Sequence, residues 1–327
     1  MTRLVALLLA MVAALFTASL LVGPAKVSVA DSLSALFAGD KGPLTLVMRE
    51  IRLPRAILAA MIGASLGLAG AAMQGYLRNP LAEPGLIGVS GSAALGAVLA
   101  IHTGLSATFA LGLPLAALTG AFLGVVLVMS LAGPRGTSLT LILAGIAISA
   151  LAAAITSFVL NLSPNPFAAN EIVFWMMGSL TDRSMTHVWL ALPFMALGFA
   201  VLARLGRGLD ALTLGEDAAL AMGIRVDKLR LQLVIGTACV VGAGTAVAGA
   251  IGFVGLVIPH ILRPLVGAHP SRLLWASALG GAAMLLAADI AVRVVLPGRD
   301  LKLGVLTALV GAPLFLHLIL KLRRERI

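Results

Sequence analysis

Charged side chains are scarce in this sequence. Only 11% of its 327 residues are Asp, Glu, Lys or Arg, against about 25% in a soluble domain. Apolar residues make up 60% and mean hydropathy is +1.09, which excludes an ordinary soluble domain, because so apolar a surface would aggregate. The single cysteine, Cys239, lies in an apolar run, cannot form an internal disulfide and reads as a small packing residue. The dipeptide Gly-Lys is absent, so the Gly-x-x-x-x-Gly-Lys-Ser/Thr loop that cradles ATP phosphates is absent too. Neither His-Glu-x-x-His nor Cys-x-x-Cys occurs and the five histidines are scattered, so no catalytic residue, bound metal or cofactor is expected on this chain. A net charge of +10 could suggest nucleic acid. The basic residues, however, sit in loops between apolar runs and lack interleaved aromatics, so membrane orientation is the better reading and no nucleic-acid partner is expected.

What the chain does contain is long apolar runs without strand-like alternation, which favour transmembrane helices over a barrel. Ten candidate spans are read: Leu4–Val22, Pro54–Gly75, Gly85–His102, Ala107–Leu131, Ser138–Leu160, His187–Ala203, Leu231–Ala250, Ile251–Val266, Arg272–Ala291 and Leu303–Leu320. They predict an all-α polytopic membrane protein in one domain, 1–327. Leu4–Val22 outlasts the ~7–15 residues of a signal-peptide core and is expected to be a retained first helix. The seventh and eighth runs are nearly continuous, and Gly252, Gly255 and Pro259 predict a bend between them. With both termini cytoplasmic, fourteen of the 23 basic residues fall inside, Arg135 among them. Against that trend, Lys26, Lys41, Arg49, Arg52 and Arg55 cluster outside.

Two polar stretches interrupt the spans. The cytoplasmic one, about 204–230, holds Leu214–Gly223, where Gly215 and Gly223 bracket good helix formers led by Glu216 and Asp217. A short surface helix is the simplest reading, since acids suit a helix N-terminus. The outer one, Asn161–Thr186, is read as a loop with Pro164, Pro166 and an apolar patch, Phe174-Trp175-Met176-Met177. Gly63/Gly67 and Gly120/Gly124 are GxxxG pairs suited to close helix packing, within the chain or between subunits. Ala69-Gly70-Ala71 and Ala248-Gly249-Ala250 hint at an inverted repeat. Of 13 acidic residues only Asp289 falls inside a span, whereas an ion-coupled transporter usually needs buried carboxylates. A secondary transporter or channel is therefore the alternative reading. A membrane enzyme is a third, disfavoured by the lack of clustered catalytic groups.

Ordered motifs from Arg49 onward carry a resemblance. Arg52-Leu53-Pro54-Arg55, Met73-Gln74-Gly75, Arg78-Asn79-Pro80-Leu81-Ala82-Glu83-Pro84-Gly85, Leu143-Ala144-Gly145-Ile146, Leu214-Gly215-Glu216, Gly249–His260 and Gly304–Pro313 resemble the FecCD-type permeases. These are membrane subunits of binding-protein-dependent ABC importers for ferric siderophores, haem and vitamin B12. The resemblance implies a vitamin-B12-permease-like fold of about ten transmembrane helices in a bacterial cytoplasmic membrane. It also implies a homodimer, two ATP-binding cassette subunits that bind ATP and Mg, a periplasmic or lipoprotein substrate-binding protein, and a metal-chelate cargo. By resemblance, Arg52, Arg55 and Arg293 receive the binding protein. Leu214, Gly215, Glu216, Asp217, Ala221 and Gly223 belong to the helix that couples to the ATPase. Thr137 and Ser138 form the cytoplasmic gate, Gly145 lies on the pathway, and the fifth and tenth spans line it. Two departures from the family pattern are Asp300-Leu301-Lys302 before the last span and Pro264 after His260.

Overall fold

The fold was analysed in a computed structural model that describes residues 1–23, 28–37, 42–133, 136–163, 166–295 and 301–324. Every regular element among them is helical. In chain order these are α1 (Thr2–Leu21), α2 (Val29–Phe37), α3 (Pro43–Leu77), α4 (Val89–His102), α5 (Gly112–Ala132), α6 (Ser138–Asn161), α7 (Pro166–Met176), α8 (Met185–Ala203), α9 (Gly206–Leu212), α10 (Glu216–Ala221), α11 (Val226–Ala248), α12 (Val254–Leu262), α13 (Pro270–Val295) and α14 (Leu303–Arg324). The sequence expectations at Lys26, Lys41, Arg135, Pro164 and Asp300 lie outside the described residues.

Seven helices, α1, α3, α5, α6, α8, α11 and α13, are long and apolar enough to cross a bilayer. With the match to membrane permeases reported below, they make this a multi-pass membrane protein. Two of the other three expected spans are shorter. α4 has 14 residues, about 21 Å at the helical rise, because Pro84–Ile87 forms a 3-10 turn and Gly88 (φ +75°) reverses the chain before the helix starts. α12 has only nine residues. It begins after the expected bend, where residues 249–253 leave the helix and Phe253 takes a left-handed φ of 67°. Pro264 opens a 3-10 turn, Pro264–Val266, that ends this half-helix. α14 runs 22 residues, Leu303–Arg324, and its apolar sequence continues to Leu320.

Small residues decide the packing. α3 and α13 lie backbone to backbone: a Cβ on Gly63 would strike the Gly281 carbonyl, and one on Gly67 the Ser277 carbonyl. α4 and α5 meet in the same way, Gly120 against the Ser92 carbonyl and Gly124 against the Ser92 hydroxyl. Both GxxxG pairs thus serve packing within the chain. Lipid is as apolar as leucine, so helices associate in it through such close van der Waals contact. α3 and α11 form the centre, while α5, α6 and α8 turn Phe122, Leu139, Phe158 and Trp189 outward.

Two boundaries differ from expectation. The second span begins at Pro43 rather than Pro54, through π-helical turns over Val47–Arg52. The stretch expected as a loop at 161–186 contains α7, because Ile172 and Trp175 bury their side chains and the Trp175 carbonyl touches Gly249. The patch residue Phe174 carries the Lys302 ammonium 5.2 Å above its ring.

Candidate functional site

A helix ends in carbonyls that have no partner within it. At the end of α1 they are taken up by arginines. Arg52 Nη1 donates to the carbonyls of Leu20 (2.9 Å) and Leu21 (3.1 Å). Arg293 Nη1 donates to Ser19 and Val22 carbonyls at 2.8 Å each, and its Nη2 reaches the Ser19 hydroxyl at 2.6 Å. Positive charge there also meets the negative pole of the helix dipole. Asp289 is fully buried and sits between Arg55 Nε and Arg293 Nη2, 2.8 Å from each. Arg49 Nε caps the α2 end through the Leu36 carbonyl at 2.9 Å. Of the cluster that ran against the charge trend, Arg49, Arg52 and Arg55 are therefore held by helix ends and one carboxylate. The structure does bring Arg52, Arg55 and Arg293 together, but with their guanidinium groups turned inward. Arg52 is 4% exposed, and the side chains of Arg55 and Arg293 are 14% and 9% exposed.

At the other end of the bundle the expected short helix is present as α10. Gly215 (φ 106°) and Gly223 (φ 80°) turn its corners in conformations that strain any residue with a Cβ. Ala219 packs inward; Glu216, Asp217 and Ala221 face out, as do the large apolar side chains of Leu214, Leu220 and Met222. The segment is anchored from behind, since Asp210 Oδ1 accepts the Ser271 backbone N–H at 2.9 Å and so caps α13. Ser271 and Asp289 both lie on α13, about 27 Å apart at the helical rise, which puts the two ends on opposite sides of a ~30 Å hydrocarbon core.

The gate candidates adjoin α10. Thr137 N-caps α6 with a complete capping box: its Oγ1 accepts the Thr140 N–H (3.2 Å), and Thr140 Oγ1 accepts the Thr137 N–H (2.8 Å). Arg230, on the helix that follows α10, donates to the carbonyls of Gly133 (3.2 Å) and Gly136 just ahead of Thr137. Tyr76, Thr137, Glu216, Leu220, Arg225 and Arg230 border a hollow of about 560 Å³. Gly145 is a contact point deeper in α6, where a Cβ would strike the Leu86 carbonyl.

Between the two ends lies a junction of segments 78–88 and 249–256. Gln74 Nε2 donates to the carbonyls of Ala82 (3.3 Å) and Leu256 (3.2 Å), and Arg263 Nη2 donates to Gln74 Oε1 at 2.6 Å. Glu83 Oε1 accepts the Phe253 backbone N–H at 2.8 Å, at the N-terminus of α12. Asp289 is the one acid expected inside a span; Glu83 lies two residues ahead of the expected third span. Glu83 borders a cavity with Leu66 and Val241, and Leu66 lies about 16 Å inside the C-terminal end of α3. The sequence places Glu83 between the second expected span, which ends at Gly75, and the third, which opens at Gly85, in a segment counted as cytoplasmic through Arg78. Sequence reading passed over the bonds of Asp210 and Arg230 to the Ser271 N–H and the Gly133 and Gly136 carbonyls, which leave no motif.

The FecCD transport family matches residues 9–321. The cobalamin import system permease protein BtuC of Halobacterium salinarum is 40% identical over 273 residues, 84% of this chain and 73% of that protein. The Fe(3+) dicitrate transport system permease protein FecD of Escherichia coli is 37% identical over 277 residues, 85% of this chain and 86% of that one. Among solved structures, an inward-facing conformation of a metal-chelate type ABC transporter superposes with a TM-score of 0.87 at 32% identity, covering 98% of this chain and 100% of that one.

Proposed function

The chain belongs to the FecCD transport family, and from that premise we propose that it is the membrane-spanning subunit of an importer for a metal chelate. It is an ABC transporter permease; the match over residues 9–321, with the structural likeness to a metal-chelate transporter, carries the reading. The cargo is cobalamin, a ferric siderophore or haem, since relatives handle cobalamin and ferric dicitrate. The chain sits in a bacterial cytoplasmic membrane as a homodimer with cytoplasmic termini. Two ATP-binding cassette subunits supply the energy and hold ATP and Mg, and a periplasmic or lipoprotein binding protein delivers the chelate.

Each residue then takes a role supported by its geometry. The segment Leu214–Gly223 docks on the ATPase: Leu214, Leu220 and Met222 offer apolar contact, and exposed Glu216 and Asp217 orient it. Gly215 and Gly223 hold its corners, with Ala221 on its outer face. Movement of α10 reaches the gate at Thr137 and Ser138 through Arg230, which holds the turn before them. Gly145 fits α6 against the 84–88 turn at the pathway wall. The outer face around Arg55, the least enclosed of the three arginines, receives the binding protein, while Arg52 and Arg293 hold the helix ends that shape it. The test is reconstitution with the cognate ATPase and binding protein in proteoliposomes, supplied in turn with labelled cobalamin, ferric citrate and haem. ATP-dependent accumulation of one chelate, lost when either partner is omitted, is expected. Accumulation driven by a proton or sodium gradient without ATP would replace this reading with the ion-coupled one.

A further inference from the structure

Glu83 is a half-buried acid bordering a cavity between helices, and no ion pair among the described residues involves it. Such a residue is costly unless something stabilises it. The stabilisation here is the backbone N–H of Phe253 at the N-terminus of α12, where the helix dipole favours an anion. The bond joins two segments far apart in sequence, and each is pressed onto a different long helix. On one side, the Leu86 carbonyl and Ile87 Cα bear on Gly145 of α6, and the Gly145 carbonyl bears on Gly88. On the other side, the Phe253 side chain bears on Gly311 of α14. The Gly145 contact is backbone on backbone, and at Gly311 only the Phe253 side chain lies between the partners, so each segment travels with its helix.

We propose that Glu83 is a positioning residue that ties α6 to α14, so that the two helices move together during transport. The inference rests on the reading that α6 and α14 line the pathway. If they do, relative movement of the two walls must stretch the Glu83–Phe253 bond. What holds the tie is an acceptor oxygen at the half-helix, which glutamine can also supply. The left-handed backbone of Phe253 aims its N–H at Glu83 while its ring rests on Gly311. Glu83 and Phe253 thus act as one joint between the two walls.

The test uses the full complex in proteoliposomes, reading chelate accumulated against ATP hydrolysed, with thermal unfolding measured on the same samples. Glu83→Ala is expected to keep ATP hydrolysis within about twofold of wild type while uptake falls at least about tenfold. Glu83→Gln keeps the acceptor and is expected to restore uptake to within about threefold of wild type. If Glu83→Ala fails to fold, Phe253→Ala decides, since it retains the backbone bond but frees α14; uptake lost with hydrolysis kept supports the tie. Wild-type uptake per ATP in Glu83→Ala or in Phe253→Ala overturns it. Glu83→Gln as defective as Glu83→Ala also overturns it, because the charge would then matter and not the acceptor. A wild-type complex without ATP-driven uptake would instead contradict the permease reading itself.

Discussion

The two ends of α13 treat charge in opposite ways. At its C-terminal end three arginines and Asp289 are folded inward, bound to one another and to the open carbonyls of α1. At its N-terminal end Asp210 caps the helix, and the segment it anchors leaves Glu216, Asp217, Leu214, Leu220 and Met222 exposed. The first arrangement is complete within one subunit. The second is an exposed surface, apolar and acidic together, which we propose meets the ATPase. The lesson is that a cluster of charged residues at a membrane boundary is not by itself a docking site. What distinguishes the two is whether the backbone around them has already claimed their bonds.

The comparison breaks most easily at Asp289. Asp289→Asn leaves two largely buried guanidinium groups without their counter-charge, and loss of one partner of a buried pair costs about 3–5 kcal/mol. Thermal unfolding in detergent and yield from membranes should both drop sharply. A variant as stable as wild type would mean that the arginine cluster does not hold the fold. Next in size comes the seam that joins the two ends. Gly67→Val drives a side chain into the Ser277 carbonyl and should cost roughly 1–3 kcal/mol or more, read by the same unfolding assay. Thr137→Ala removes one half of the α6 capping box and should cost about 1 kcal/mol, whereas Thr137→Ser should cost little. Equal stability of all three proteins would argue that the cap contributes nothing and that Thr137 serves another purpose.

Much of this was legible in the sequence. Apolar run length located the long helices, and Gly252, Gly255 and Pro259 announced the bend before α12. Gly215 and Gly223 bracketed α10 because only glycine turns those corners without strain. What escaped were bonds to backbone. Arg52 and Arg293 hold carbonyls of α1, and a carbonyl has no sequence identity by which to infer it. The same guanidinium serves a rim or a helix end equally well, so residue type could not tell the two apart. The short α4 was hidden because Pro84–Ile87 is as apolar as the helix that follows it. The place of Glu83 beside the cavity follows from that turn and was hidden with it.

The account stands or falls on the coupling end being a surface made for a partner rather than part of the fold. Glu216→Lys tests this most directly, because Glu216 is exposed in the first turn of α10 and no hydrogen bond or ion pair of its side chain is seen among the described residues. Stability and stimulation of ATP hydrolysis should be measured on one preparation of the variant with its ATPase. The expected result is unfolding within about 0.5 kcal/mol of wild type, as for other surface substitutions, with stimulation lowered about tenfold or more. Wild-type stimulation, or a loss of stimulation that merely follows a loss of stability, would contradict it.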